Sequence, residues 1–184
     1  MKESEFVSLF EEVAKEVTRD RAIVKRGANL FYQLHLNQKL DVAVPNTRNP
    51  KRGSSAFQTD ICIFELVEGV EFPRVAIEFK PRITTHDILT YSAKAGKHKK
   101  IYPCLRYGLL ASELASIPGK FFIHNESIDF FIAAKKYTGE TGVKPFAKKL
   151  IEKELEISRV LEKIHFAGSG VDYYRTDIIF GAFD

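Results

Sequence analysis

Apolar residues recur along this chain in two rhythms, and the changes of rhythm mark its elements. Phe6, Phe10, Val13 and Val17 step by three and four, which predicts a helix over 4–18 with Ser4 as its N-cap. Glu5, Glu12 and Glu16 run along the flank of that helix, either as a solvated face or as a reserve of carboxylate for a site. Leu30/Tyr32/Leu34/Leu36 and Leu40/Val42/Val44 alternate in steps of two. They predict strands over 29–36 and 40–44, either as one bent strand or as a short hairpin around residues 37–39. A loop rich in Pro, Asn, Gly and Ser follows over 45–56 and carries Arg48, Lys51 and Arg52. Two strands come next, over 59–67 and 74–80, turned by Glu68 and Gly69 and stopped by Pro81.

Beyond Pro81 the helical rhythm returns. Ile88, Tyr91, Ala95 and Tyr102 share a face of a predicted helix over 85–102, capped by Thr85, with Tyr91, Lys94 and His98 along one flank. Lys94, Lys97 and Lys100 make the other side basic; such a face is either simply solvated or in contact with phosphate. A strand is predicted over 105–111. Apolar runs over 120–124 and 127–134, separated by Asn125 and Glu126, predict an extra hairpin, with a loop over 137–142. The longest helix is predicted over 143–166, where Val143, Leu150, Ile157 and Ile164 recur every seven residues. Its wide apolar face suits core packing, a partner helix, or both. A hinge over 167–170 leads to an aromatic tail, expected to dock as an extra strand or on a second subunit.

Composition narrows the class. With 184 residues, 45% hydrophobic and 28% charged, the chain reads as one globular domain over 1–184. A formal net charge of +4 leans mildly toward a polyanionic partner. Cys62 and Cys104 lie in apolar runs and read as buried free thiols; neither has zinc-type spacing. The charged start is unlike a signal peptide, and no apolar run reaches the ~18 residues of a membrane span, so the cytoplasm is the expected compartment. Five scattered histidines lack metal-ligand spacing, and no phosphate-binding glycine motif or serine-hydrolase elbow occurs.

The chemistry concentrates between residues 57 and 80. Strand side chains alternate between faces, so Glu78 and Lys80 share one face and Phe79 takes the other. If the two strands pair, Asp60 can lie beside Glu78. Two carboxylates and an ammonium then meet at the end of an apolar sheet, which is costly unless they pair or hold a metal. A structural salt-bridge cluster is the plain alternative. Glu78-Phe79-Lys80 is the only acidic-x-Lys triple in the chain, but the order of elements around it carries more weight.

Helix, strand, a strand opening on Asp60, a strand closing on Glu78-Phe79-Lys80, helix, strand: this order resembles the core of the PD-(D/E)xK nuclease superfamily, over roughly 4–111. Thr59 stands where that motif often has proline. The resemblance implies an α/β (mixed α+β) restriction-endonuclease-like α-β-β-β-α-β core, with a mixed sheet flanked by helices. It implies that Asp60, Glu78 and the Phe79 carbonyl hold one or two Mg²⁺ ions, with Mn²⁺ as a substitute, and that Lys80 stabilises or positions the attacking hydroxide. Glu12 or Glu16 is the accessory glutamate on this reading. Lys94, Lys97, His98, Arg48 and Arg52 are the expected DNA contacts. The activity implied is that of a metal-dependent endodeoxyribonuclease, most like a type II restriction enzyme. Duplex cutting favours a homodimer joined by the C-terminal helix and tail. A structure-selective nuclease and a non-catalytic nucleic-acid-binding module are the alternatives.

Overall fold

The computed structural model describes residues 3–43, 46–53 and 55–179. Val44 of the second predicted strand, Pro45 and Ser54 of the basic loop, and the last five residues of the tail lie outside them. Helix α1 (Glu3–Thr18) leads into strands β1 (Ile23–Arg26), β2 (Asn29–Phe31), β3 (Ala56–Gln58), β4 (Ile61–Val67) and β5 (Val70–Lys80). Helix α2 (Thr85–Ile101), β6 (Arg106–Ala111), α3 (Gly119–His124), β7 (Phe130–Ala133) and α4 (Glu140–Ala167) complete the order. Five strands form one mixed sheet, β1-β4-β5-β6-β7, antiparallel as far as β5 and parallel from β5 to β7; β2 and β3 pair separately.

Alternation along the strands divides the core. Ile61, Ile63, Val75, Ile77 and Phe79 face α1 and α4, where Phe6 and Phe10 meet the Phe79 ring edge-on at 5.6 and 5.3 Å. Cys62, Phe64 and Ala76 face the other layer with Ile88 and Ala95 of α2 and Phe121 of α3. Glu78 and Lys80 therefore point toward α2. Both cysteines are buried and free, and burial pushes the Cys62 thiol up. The predicted turn is present: Glu68 and Gly69 both take positive φ (50° and 77°), as a two-residue hairpin turn demands.

Several expectations need correction. The first sheet strand is β1, not 29–36. Four residues ending in Lys25 and Arg26 carry little periodic signal, yet those charges suit the edge position that β1 holds beside β4. Within 29–43 only Asn29–Phe31 is a strand; a hairpin arm follows, bridged at Leu36 and Val42, which is the short-hairpin alternative. The cap of α2 is Thr84 rather than Thr85: its Oγ1 accepts from the Asp87 N–H at 3.1 Å and its own N–H donates to Asp87 at 2.7 Å. The hairpin over 120–134 does not form. Residues 119–124 are helix α3, and β7 runs parallel to β6, a pairing that needs a crossover rather than a tight turn. Phe122 and Ile123 are exposed, so the apolar run there was no buried strand.

The start of α4 packs on α1 through Val143, Phe146, Leu150 and Ile151. Its end and the tail do not: Phe166, Tyr173, Tyr174 and Ile178 are exposed, and 171–179 adds no strand to the sheet. Among the described residues no helix is long and apolar enough to cross a membrane.

Candidate active site

The site begins as a corner in the backbone. The antiparallel partners β1 and β4 continue into β2 and β3, and the pair changes sheet at Gly27–Ala28 and Thr59–Asp60. Gly27 takes φ 65°, donates to the Asp60 carbonyl at 3.0 Å, and a Cβ there would sit 3.0 Å from the Gln58 amide. Thr59 N–H and Oγ1 both donate to the Ala28 carbonyl, at 2.8 and 3.1 Å. These bonds hold Asp60 one residue before β4, where the register Ile61↔Ile77 sets it opposite Glu78.

Asp60 Oδ2 accepts from the Phe79 N–H at 2.8 Å, so its carboxylate caps the strand edge beside Glu78. In an extended strand one residue's N–H and C=O point to the same side, so the Phe79 carbonyl also faces Asp60. The next carbonyl, that of Lys80, instead accepts from Ser112 N–H at 2.9 Å, beyond β6. Asp60, Glu78 and the Phe79 backbone thus converge as expected from the sequence.

Glu78 is 2% exposed. Its Oε1 accepts from Lys94 Nζ and from the Tyr107 hydroxyl, both at 2.5 Å. Burial raises its carboxyl to about 6; Lys94 opposes that shift and the Asp60 charge adds to it. Lys80 is partly exposed, with its ammonium 5.7 Å from the Tyr91 ring centroid. Burial alone lowers its pKa, but the Tyr91 hydroxyl, Glu3 and Asp60 more than compensate, and the net shift is upward. Lys80 is therefore protonated at neutral pH, which suits charge stabilisation and not proton abstraction.

Three expected residues are placed differently. Glu12 and Glu16 are exposed and outside the site; Glu16 binds Lys144 at 2.5 Å. The glutamate of α1 near Asp60 is Glu3, which lines a cavity of about 220 Å³ with Ser4, Arg26, Gln58 and Asp60. Glu12 lies nine residues along the same helix, about 13 Å away. His98 is fully buried rather than on a DNA-facing flank. Its Nδ1 lies 2.8 Å from the Phe31 carbonyl, which can only accept, and its ring stacks on Tyr107 at 5.9 Å. Lys94 also belongs to the site, donating to Glu78 and to the Gln58 carbonyl at 2.5 Å. Lys97, Arg48 and Arg52 are exposed.

Burial of His98 has a pH signature. Burial lowers its pKa to about 4, so the folded state holds it neutral while the unfolded chain protonates near 6.5. Stability is then lost as pH falls from 6.5 toward 4. Glu78 acts oppositely: its raised carboxyl favours the folded state as pH falls from 6 toward 4.5. The His98→Gln variant isolates the first effect. In urea unfolding, the wild type should lose about 2 kcal/mol relative to that variant between pH 7 and pH 5; equal pH dependence would contradict the assignment.

Tyr91, Tyr107, Arg26 and Glu3 are site residues that sequence reasoning missed. Tyr91 had a signal, since it lies three residues before Lys94 on one helix face; its ring centroid is 5.7 Å from the Lys80 ammonium and 5.8 Å from that of Lys94. The other three depend on which elements pack together.

The donor set suits a hard cation in one specific way. Among the described residues no three His, Cys, Asp or Glu side chains cluster as a metal cage. Mg²⁺ does not require one: it is commonly held by one or two carboxylates, with water and substrate phosphate completing the shell. Asp60, Glu78 and the Phe79 carbonyl supply that kind of partial, all-oxygen set. No protein-family model matches the chain, and no curated protein matches it.

Proposed function

We propose that the chain is a Mg²⁺-dependent DNA endonuclease with a restriction-endonuclease-like core of the PD-(D/E)xK type. The observation that carries this reading is the Asp60 carboxylate fixed on the Phe79 N–H, with Glu78 beside it and Lys80 on the same face. Asp60, Glu78 and the Phe79 carbonyl would hold the metal, which would supply charge to offset that of the phosphate and would acidify a bound water. Lys80, kept protonated, neutralises charge developing on the scissile phosphate. Lys94 holds Glu78 in place and balances its charge before metal binds. Tyr91 lies within cation–π reach of both ammoniums and helps hold Lys80 protonated. Glu3 is the α1 carboxylate of the site, in the role first expected of Glu12 or Glu16.

The partner on this reading is duplex DNA, contacted by Lys97, Arg48 and Arg52, and the compartment is the cytoplasm. A homodimer joined by the end of α4 and the tail fits the exposed Val160, Phe166, Tyr173 and Tyr174. The close Lys94–Glu78 pair favours one competing reading, a static ion cluster in a non-catalytic DNA-binding protein. Incubation with mixed plasmid and genomic DNA in Mg²⁺ or Mn²⁺, followed by sequencing of the ends, separates the two. The nuclease gives new ends that EDTA suppresses; binding with no new ends under either metal supports the static cluster.

A further inference from the structure

The arm after β2 has features that a simple connection does not need. It leaves the small sheet at Tyr32, whose N–H donates to the Ser55 carbonyl at 2.9 Å, and folds back on itself. Ala43 donates to the His35 carbonyl and Asn37 to the Asp41 carbonyl, both at 2.8 Å. At the tip the Asn37 side-chain oxygen accepts from the N–H groups of Lys39 and Asp41, at 2.8 and 3.1 Å. That double cap places Leu40 at φ 64°, a left-handed conformation favoured by glycine and asparagine and strained for a bulky side chain. Leu40 is also 77% exposed, with Leu36 at 59% and Val42 at 45% behind it. The tip thus combines backbone strain with an apolar side chain held in water.

Charge and position indicate what the tip meets. Residues 33–53 carry Lys39, Arg48, Lys51 and Arg52 against the single acid Asp41, so the stretch of chain that holds the apolar tip is basic, as suits a polyanionic partner. The root of the arm is packed: Tyr32 stacks on Phe57 at 4.0 Å, with the Lys97 ammonium 5.5 and 5.9 Å from the two ring centroids. Phe57 precedes Gln58, whose carbonyl holds Lys94 of the candidate site. Leu40 lies eight residues beyond Tyr32, a reach of at most about 29 Å from the root of the arm, on the scale of one ~34 Å turn of DNA.

We propose that this arm is a wedge that opens a base step near the cleavage site, with Leu40 as the inserted side chain. Apolar side chains pushed between base pairs unstack and kink the duplex. Pyrimidine–purine steps and mismatched pairs resist this least, so the preferred substrate is duplex DNA that is flexible or weakened at that step. The proposal rests on the nuclease reading for the meaning of its position, but its test does not depend on cleavage.

Full-length Lys80→Ala protein in Mg²⁺ is mixed with a set of duplexes carrying 2-aminopurine at each step in turn. A fluorescence rise is expected at one step. Leu40→Asn, which tolerates positive φ, should reduce that rise about fivefold or more while changing DNA affinity less than about threefold. In the cutting-competent protein, Leu40→Asn should slow cleavage of fully paired duplex about tenfold and leave a duplex mismatched at that step nearly unaffected. No rise at any step, or a rise that Leu40→Asn leaves unchanged, overturns the wedge and leaves the nuclease reading standing. A Leu40→Asn change that instead turns a dimer into a monomer by light scattering overturns it in favour of self-association. DNA that opens but is never cut by the wild type supports the wedge and removes the nuclease; no DNA binding at low salt overturns both.

Discussion

Replacing Lys80 with alanine should lower DNA cleavage by about a thousandfold, with folding and DNA binding retained. The side chain is partly exposed at the end of β5 and fills no core position, so its removal leaves the packing of Phe79 against Phe6 and Phe10 untouched. What is lost is a fixed positive charge near the two carboxylates, in a site walled by Tyr91 and the sheet end. Lys80→Arg separates two roles: arginine keeps the charge and does not deprotonate in proteins. If Lys80 acts by charge, the arginine variant recovers a measurable part of the rate; if it removes a proton, it behaves like alanine. The upward shift of the Lys80 pKa, with Tyr91, Glu3 and Asp60 outweighing burial, favours the first outcome. Steady-state cleavage with matched circular dichroism checks it.

The largest stability effect should come from Arg74, in the middle of β5 and six residues before Lys80. Between β4 and β5 the register steps from Ile63↔Val75 to Phe64↔Pro73, so Arg74 is the extra residue of a bulge. The bulge turns its side chain to the α4 layer, where Nε donates to Glu65 at 2.9 Å and Nη2 to Glu162 at 2.7 Å. Arg159 closes the other side of Glu65. Arg74 is 2% exposed. Its replacement by alanine removes one of the two guanidiniums on the nearly buried Glu65 and leaves Arg159 to balance that carboxylate alone, a loss of charge-assisted hydrogen bonds that costs about 2–3 kcal/mol. The melting temperature should fall by about 4–12 °C. A loss below about 1 kcal/mol in urea unfolding would show that the network is not a stabilising element.

The parts of the site legible in the sequence are those decided by local rules. Alternation along β5 puts Glu78 and Lys80 on one face, and the two-residue turn at Glu68–Gly69 pairs β4 with β5. Turn and alternation alone would set Asp60 opposite Ile77; the extra residue at Arg74, which no local signal marked, shifts the register by one and sets Asp60 opposite Glu78. Glu3 was not legible because the stripe Phe6-Phe10-Val13-Val17 identifies the buried face of α1 but not which end lies over the strand ends. His98 was misjudged because lysines at 97, 99 and 100 make its neighbourhood read as solvated. The burial of Ile88, Ser92 and Ala95 continues to His98 at the next three-residue step, and that spacing was the available signal. β1 and α3 failed for a shared reason: four to six residues are too few for either period to stand out, and tertiary pairing decided both.

The most direct test of the metal-dependent site uses a mixture of plasmid and genomic DNA with wild-type protein and the Asp60→Asn variant, in Mg²⁺, in Mn²⁺ and in EDTA. Asparagine cannot supply the negative charge a cation needs, but its side-chain oxygen can still accept from the Phe79 N–H, so the corner should keep its shape. The expected result is metal-dependent new DNA ends from the wild type, none in EDTA, and at least about a hundredfold fewer from the variant. Equal cutting by both proteins, or cutting that EDTA leaves untouched, would contradict a metal site built on Asp60 and Glu78.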